Sequence, residues 1–362
     1  MIIEKVWLRN FRNYEKAEIT WNPNMNVITG NNAQGKTNLL ESLVYLSLTR
    51  SHRLHEDNQL IQFDKEMTKI GCEVLEEDEK TKLEVVLHPG GKTLLLNNQP
   101  IQRSSEFIGK LNVVLFSPDD LNLFQDAPRS RRRVMDQEIT KMNYRYLVAL
   151  NQYRTLLKNR NALLKQYHVD ESYLDTLDEQ MIQAEITIIE ERKKFIKGIN
   201  FFMNAIYQEL ADEINEIHLT YESCVEEATE EALRNLYVSN RKKDLETHVS
   251  NVGIHREDMQ FMMNDKNLLQ IASQGQKRMV MLSFKIALLK VIKEITKKNP
   301  VLLLDDVLSE LDKHRQAKLI TMIGNTYQCM ITTTDIPEAL RNEAMNEYRV
   351  EQGKIEIVGG RK

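Results

Sequence analysis

Cysteine is scarce in this chain: Cys72, Cys224 and Cys329 lie far apart, with no C-x-x-C pair. That excludes a disulfide framework, a zinc hook and a redox dithiol, and suits a reducing compartment. No apolar run approaches about 20 residues, so no membrane-spanning helix is expected. The start, "MIIEKVWLRN", lacks the charged n-region and long apolar core of a signal peptide. A cytoplasmic location is the expectation. Large excess charge is missing too: the formal net charge is −4. Any nucleic-acid binding must therefore use local basic patches. From Arg131 to Asn215 there is no proline and a single glycine, Gly198.

The remainder is ordinary for a globular chain of 362 residues, 41% hydrophobic and 28% charged. Alternating or β-rich patterns predict strands at 2–8, 17–21, 26–29, 69–75, 81–88, 92–96 and 112–116. Gly90-Gly91 between two of them signals an antiparallel hairpin. The proline-free stretch predicts two long helices, 131–168 and 172–215, the second about 65 Å long at 1.5 Å per residue. Leu174, Leu177, Met181, Ala184 and Ile188 give it a partial heptad seam, interrupted at Glu191. The acidic segment 222–231 reads as solvated surface. After residue 250 a β/α pattern returns, ending in a hairpin around Gly353. The expected architecture is α/β: an ATPase-type head with a mixed sheet and an antiparallel β part, interrupted by a helical arm. The expected divisions are 1–128, 129–249 and 250–362.

"GNNAQGKT" (30–37) fits G-x-x-x-x-G-K-[ST], after a strand and opening a helix. Gly30 and Gly35 allow the tight turn by which the backbone N–H groups of Asn31, Asn32, Ala33 and Gln34 cradle phosphates. Lys36 neutralises the β- and γ-phosphates of ATP, and Thr37 offers a hydroxyl to Mg²⁺. The bland alternative is a Gly/Asn-rich turn without a ligand. "VLLLDD" (301–306) is a buried-type strand ending in two carboxylates. Asp305 suits Mg²⁺, and Asp306 suits the attacking water, so Asp306 and Lys36 are the catalytic candidates. A helix cap is the alternative use of that pair.

A third element sits between them. "SQGQKR" starts a helix at Ser273, a good N-cap whose free N–H groups can hold an anion. P-loop, Ser-Gln-Gly-Gln helix start, acidic strand and the following "LSELD" (308–312), in that order, resemble the ATP-binding-cassette ATPases. In that class the signature helix faces the γ-phosphate held by the opposite subunit. The resemblance implies a two-fold dimer with ATP in the seam. It assigns Ser273, Gln274, Gly275 and Gln276 to the trans contact, and Ser309 and Asp312 to the seam loop.

"LRNFRNY" (8–14), "TRSHR" (49–53) and "GIHREDM" (253–259), with the motifs above, span nearly the whole chain. Together they resemble the RecF family of recombination mediators. The resemblance implies ATP-dependent DNA binding in gap repair, on duplex and single/double-strand junctions. It implies partnership with RecR and RecO, a functional link to RecA, and an ATP-dependent homodimer without a membrane partner. It places Arg12 and Asn13 near the nucleotide, and leaves Arg53 and Arg256 open between structural and ligand-facing roles.

Three departures from the wider cassette class point to slow turnover. Asp306 stands where Glu is usual, "SPDD" (117–120) replaces the glutamine loop, and Thr333 or Thr334 occupies the switch position of a His. For DNA the candidates are Arg129, Arg131, Arg132 and Arg133, Lys158 and Arg160. Further clusters at Lys165, 191–197 and 241–243 are also basic. For each, a solvated face or internal pairing with nearby carboxylates is the plainer alternative.

Overall fold

The computed structural model describes all residues except His52, His55, Asn325, Asn342, Glu343, Arg361 and Lys362. His52 of the "TRSHR" motif therefore lies outside the described residues. The chain divides into two compact units. The first comprises 1–120, 205–213 and 278–362; the second comprises 121–204 and 214–277.

In the first unit, β1 (Ile2–Phe11), β2 (Tyr14–Thr20), β4 (Thr68–Glu76), β5 (Glu79–His88), β6 (Gly91–Leu96) and β7 (Gln99–Ile101) form one antiparallel sheet. Its order is β2-β1-β4-β5-β6-β7. Along β1, Ile3, Val6 and Leu8 are buried while Arg9 is exposed, so one face meets the core.

A second sheet has the order β15-β14-β3-β13-β12-β8. It is built from β3 (Met25–Thr29), β8 (Val113–Phe116), β12 (Val301–Asp305), β13 (Cys329–Thr333), β14 (Met345–Glu351) and β15 (Lys354–Gly360). Its pairings are parallel apart from the β14–β15 hairpin. Every residue of β3, β12 and β13 is buried, as expected of parallel strands covered on both faces. Helix α1 (Lys36–Leu48) touches strands of both sheets, and nearly all its residues are buried. This helix fills the space between the two layers, with Leu39, Leu40, Leu43 and Leu46 in the core and its buried polar groups, such as Glu41, hydrogen-bonded. The unit also holds α8 (Lys313–Ile323), capped by Asp312, whose side chain accepts from the Arg315 N–H.

The second unit contains α2 (Pro128–Met142), α3 (Tyr144–Leu164), most of α4 (Glu171–Ala211) and α5 (Glu230–Thr247). The expectation of one helix over 131–168 needs correction. Asn143 leaves the helical conformation and accepts a hydrogen bond from the Tyr146 N–H, ending α2 and capping α3. The expected arm also contains a sheet: β9 (Ile217–Glu222), β10 (Asp258–Met263) and β11 (Lys266–Asn267), in the order β11-β10-β9. Because β10 pairs with β9 from Asp258–Glu222 to Met263–Ile217, residues 250–277 stay with this unit. The expected return to the head at residue 250 is corrected to Arg278. After the short α6 (Leu268–Ile271), α7 (Gln274–Thr296) runs through that division.

Among the described residues, no helix is long and apolar enough to cross a membrane.

Candidate nucleotide site

The loop Gly30–Gly35 leaves the C-terminal end of β3 and enters α1. Gly35 has φ +118°, and a side chain there would run into Asn13. Two neighbours hold the loop from one side. Asn13 Nδ2 donates to the Gln34 carbonyl at 2.7 Å, and its Oδ1 accepts from Asn38 at 2.9 Å. The buried Tyr14 hydroxyl donates to the Gly35 carbonyl at 3.0 Å. From another side the β14–β15 turn closes on the same residue: the Gln352 N–H donates to Gln34 Oε1 at 2.7 Å and the Gly353 N–H to the Gln34 carbonyl at 3.2 Å. Gly353 has φ +73°, and a Cβ there would lie 2.1 Å from the Asn13 carbonyl oxygen. A C-terminal turn and an N-terminal turn thus brace the loop together.

Lys36 is nearly buried and donates to the carbonyls of Gly30 at 2.6 Å and Asn31 at 3.0 Å. Burial holds its ammonium below the usual lysine range, with Asp306 and Asp305 opposing. Next along, Thr37 Oγ1 donates to Asp305 Oδ1 at 3.0 Å. Thr332 Oγ1 donates to the same oxygen at 2.7 Å. Burial raises the Asp305 pKa against these two hydrogen bonds.

Asp306 follows with φ +54°, outside the strand geometry, and its N–H donates to the Thr332 hydroxyl at 2.9 Å. Asp306 Oδ1 is buried with no hydrogen-bond partner. Asn32, Lys36, Thr37, Arg53, Asp305 and Asp306 line a cavity of about 260 Å³. A second cavity of about 730 Å³ meets the other side of the loop at Gly30, Asn31 and Gln34, beside Thr334 and Arg349.

These residues fit a magnesium nucleotide. The loop backbone and Lys36 suit phosphate oxygens, and Thr37 and Asp305 supply two hard oxygen donors at adjacent positions. Among the described residues no cluster of three His, Cys, Asp or Glu forms a protein-only metal site. Two protein oxygens completed by phosphate and water are what Mg²⁺ favours. The unpartnered Asp306 oxygen has free capacity to orient a water.

Other expected residues have more specific positions. Arg12, at φ +53°, makes a two-nitrogen contact with the buried Glu41 carboxylate, which also accepts from Ser51. It supports the turn that carries Asn13. Arg53 lines the phosphate cavity, 3.9 Å from Asp119. In the "SPDD" loop, Asp120 accepts from the Ser117 N–H and pairs with Lys285 of α7 at 2.7 Å. Of the two switch candidates, Thr333 donates to the Asp335 carbonyl and Thr334 lines the larger cavity; Thr332, which the sequence did not single out, is bonded to Asp305.

Ser273 and Gln276 form a capping box. The Gln276 N–H donates to Ser273 Oγ at 3.2 Å and the Ser273 N–H to Gln276 Oε1 at 3.0 Å. Ser273, Gln274 and Gly275 are exposed. Beyond them, Arg278 reaches Glu310 of the "LSELD" loop at 2.9 Å. In that loop Ser309 donates to the Asp306 carbonyl at 2.7 Å.

The DNA candidates divide, and some need correction. Arg160 is fully buried, bonded to Asp178 at 2.6 Å, Asp244 at 2.7 Å and Ser250 at 2.8 Å. Arg192, in the 191–197 cluster, is buried between Asp136 and Glu257. Arg131 makes a two-nitrogen contact with Asp258, and Arg132 donates to the Glu257 carbonyl. For these four, internal pairing decides the role. Arg256 is exposed and donates to the Ser250 carbonyl at 3.1 Å. Arg129 and Lys158 are exposed and Arg133 is half-buried.

Glycine-rich loop, lysine, Thr–Asp link and capped signature helix, on a mixed sheet backed by an antiparallel one, define an ATPase head of the cassette type. The chain matches the family model "RecF/RecN/SMC N terminal domain" over residues 2–356. It is 37% identical to the DNA replication and repair protein RecF of Lactobacillus johnsonii, covering 98% of this chain and 99% of that protein. It is 38% identical to that of Lachnoclostridium phytofermentans, with 98% and 99% covered. The structure of the recombination mediator protein RecF with ATP, from the RecFOR pathway, superposes with TM-score 0.92 at 30% identity, covering 99% of this chain and 98% of that one. The chain belongs to the RecF/RecN/SMC N-terminal domain family and, within it, to the RecF proteins of DNA replication and repair.

Proposed function

We propose that this chain is an ATP-dependent DNA-binding protein of recombinational gap repair. Two ATP-loaded heads join into a clamp on gapped or junction DNA, in which Ser273–Gln276 of each subunit faces the γ-phosphate held by the other. With RecR and RecO, the clamp promotes RecA loading; slow hydrolysis then releases it. Four features support this. The Thr37–Asp305 contact pairs the two halves of a magnesium-nucleotide site. The helix start at Ser273 is ordered by its own capping box, yet exposed. Exposed cations such as Arg129 and Lys158 remain available for phosphates. Asp306 is one methylene shorter than the Glu usual at this position, which supports slow hydrolysis.

The observation that carries the proposal is this pairing of a complete P-loop site with an exposed signature helix start. Light scattering with and without ATP tests it. Wild type should double in mass with ATP. Lys36→Met should lose ATP binding and stay monomeric. Ser273→Arg should bind ATP and stay monomeric. Normal dimerisation of Ser273→Arg would sink the clamp.

A further inference from the structure

The outer face of the antiparallel sheet is not explained by the nucleotide site. Register sets Lys16, Arg9 and Lys69 side by side on β2, β1 and β4. Like charges in directly opposed positions weaken a sheet, so such a row is kept at a cost. Lys69 is compensated by Glu84 at 2.6 Å. Arg9 and Lys16 are exposed, and among the described residues neither forms an ion pair or a side-chain hydrogen bond. The nearby Glu18 is already engaged by Lys5.

Aromatic surface flanks this row on both sides. One step along β1, Trp7 lies flat over Gly71, where a Cβ would sit 2.3 Å from the indole. Lys82 Nζ stands 5.1 Å from its ring centre. On the other side, the antiparallel bridge between Phe11 and Ile61 leads the chain back along β1, and the Gln62 N–H donates to the Asn10 carbonyl at 2.8 Å. Asn10 Nδ2 also donates to the Met67 carbonyl at 3.3 Å, so the segment 62–67 that carries Phe63 starts and ends beside Asn10, at this end of β1. Phe63 is 88% exposed and Met67 52%. A large ring held in water is unfavourable unless something covers it.

Cations that track a phosphate chain, interleaved with aromatic faces, are the chemistry of a single-strand binding platform. A duplex hides its base faces and would leave the exposed Phe63 ring uncovered. We infer that this face of the head holds single-stranded DNA, with phosphates along Lys16 and Arg9 and bases against Phe63 and the rim of Trp7. Resting on the DNA-binding function proposed above, it would let a junction be held with its single strand on the head.

The chain contains two tryptophans, Trp7 and the buried Trp21, so Trp21→Phe leaves Trp7 as the sole reporter. Oligo(dT) of about 30 nucleotides, titrated into the full chain, should quench Trp7. Arg9→Glu with Lys16→Glu should weaken binding at least tenfold and lower the salt slope by about 1.4. Phe63→Ala should weaken it separately. All variants should keep wild-type ATP binding, which controls for folding. A silent Trp7, while the same protein retains oligo(dT) on a filter, would overturn the platform but not the DNA-binding function. Unchanged affinity after the double charge reversal would overturn it too, as would equal quenching by poly-glutamate. Absence of any DNA binding by wild type would overturn both.

Discussion

Thr37 and Asp305, 268 residues apart in the chain, meet at 3.0 Å through the threonine hydroxyl and one carboxylate oxygen. Thr332 shares that oxygen, so Asp305 is fixed on both sides by neutral donors. Fixing it this way orients the carboxylate for a metal without supplying the charge that would make burial favourable.

Asp305→Asn separates those two roles. Burial raises the Asp305 pKa, so its ionised form costs folding stability above the unfolded carboxylate pKa. The amide removes that cost, and the apo protein should melt at the same or a higher temperature at pH 7. ATP turnover should fall by about 100-fold or more, because a metal-held charge stabilises the transferring phosphoryl group. Calorimetry and phosphate release measure the two effects. A lower melting temperature would contradict the assignment.

Gly353→Ala tests the brace on the P-loop. The added methyl cannot stay 2.1 Å from the Asn13 carbonyl, and φ +73° strains any L-residue. The variant should lose about 1–3 kcal/mol of stability. Its ATP affinity should drop about tenfold through displaced Gln34, a shift of 1.4 kcal/mol at the site. Titration with a fluorescent ATP analogue reads this. Gly359→Ala, whose Cβ would meet nothing within 4 Å, is the control.

Arg160→Ala should behave as a core mutation. It leaves Asp178 and Asp244 buried without their shared guanidinium. The expected loss is about 3–5 kcal/mol in urea unfolding, against within about 0.5 kcal/mol for exposed Lys158→Ala. DNA affinity per folded molecule should be unchanged by the first and reduced by the second.

Glu185 gives the second unit a pH dependence. It is fully buried and accepts from the Ile254 N–H at 3.1 Å and the Tyr237 hydroxyl at 3.0 Å. Burial pushes its pKa up to about 7. A raised acid stabilises fully below its unfolded pKa of 4.5, and that contribution is lost as pH rises through about 7. The loss amounts to about 3 kcal/mol. Glu185→Gln should flatten the slope, so its stability relative to wild type is greater at pH 8 than at pH 5. Equal differences at both pH values would rule this out.

The P-loop, the acidic strand and the capped helix at Ser273 were legible because each is a local pattern. Spacing, strand–turn–helix order and cap chemistry act over a few residues. Most strands of both sheets were readable for the same reason, from alternation on β1 and from continuous apolar runs on β12; the three-residue β7 was too short to carry a pattern. Asn143 was overlooked because one capping asparagine inside a helical composition is a weak signal. The sheet at β9 and β10 was invisible because its two main strands lie far apart in sequence, with α5 between them. The bond from Thr332 to Asp305 was not legible because adjacent threonines differ only in which way the strand pleat points them.

By itself, the sequence determined the chemistry on offer: a phosphate loop, two carboxylates, a helix end for an anion and local clusters of arginine. Tertiary structure decided which of those groups remain available. Arg160, Arg192 and Arg131 look identical in sequence to the exposed Arg129, yet each meets a carboxylate brought from a distant segment. A charge is left free or paired by what folding sets within about 4 Å of it, and that distance is not a property of the order of residues along the chain.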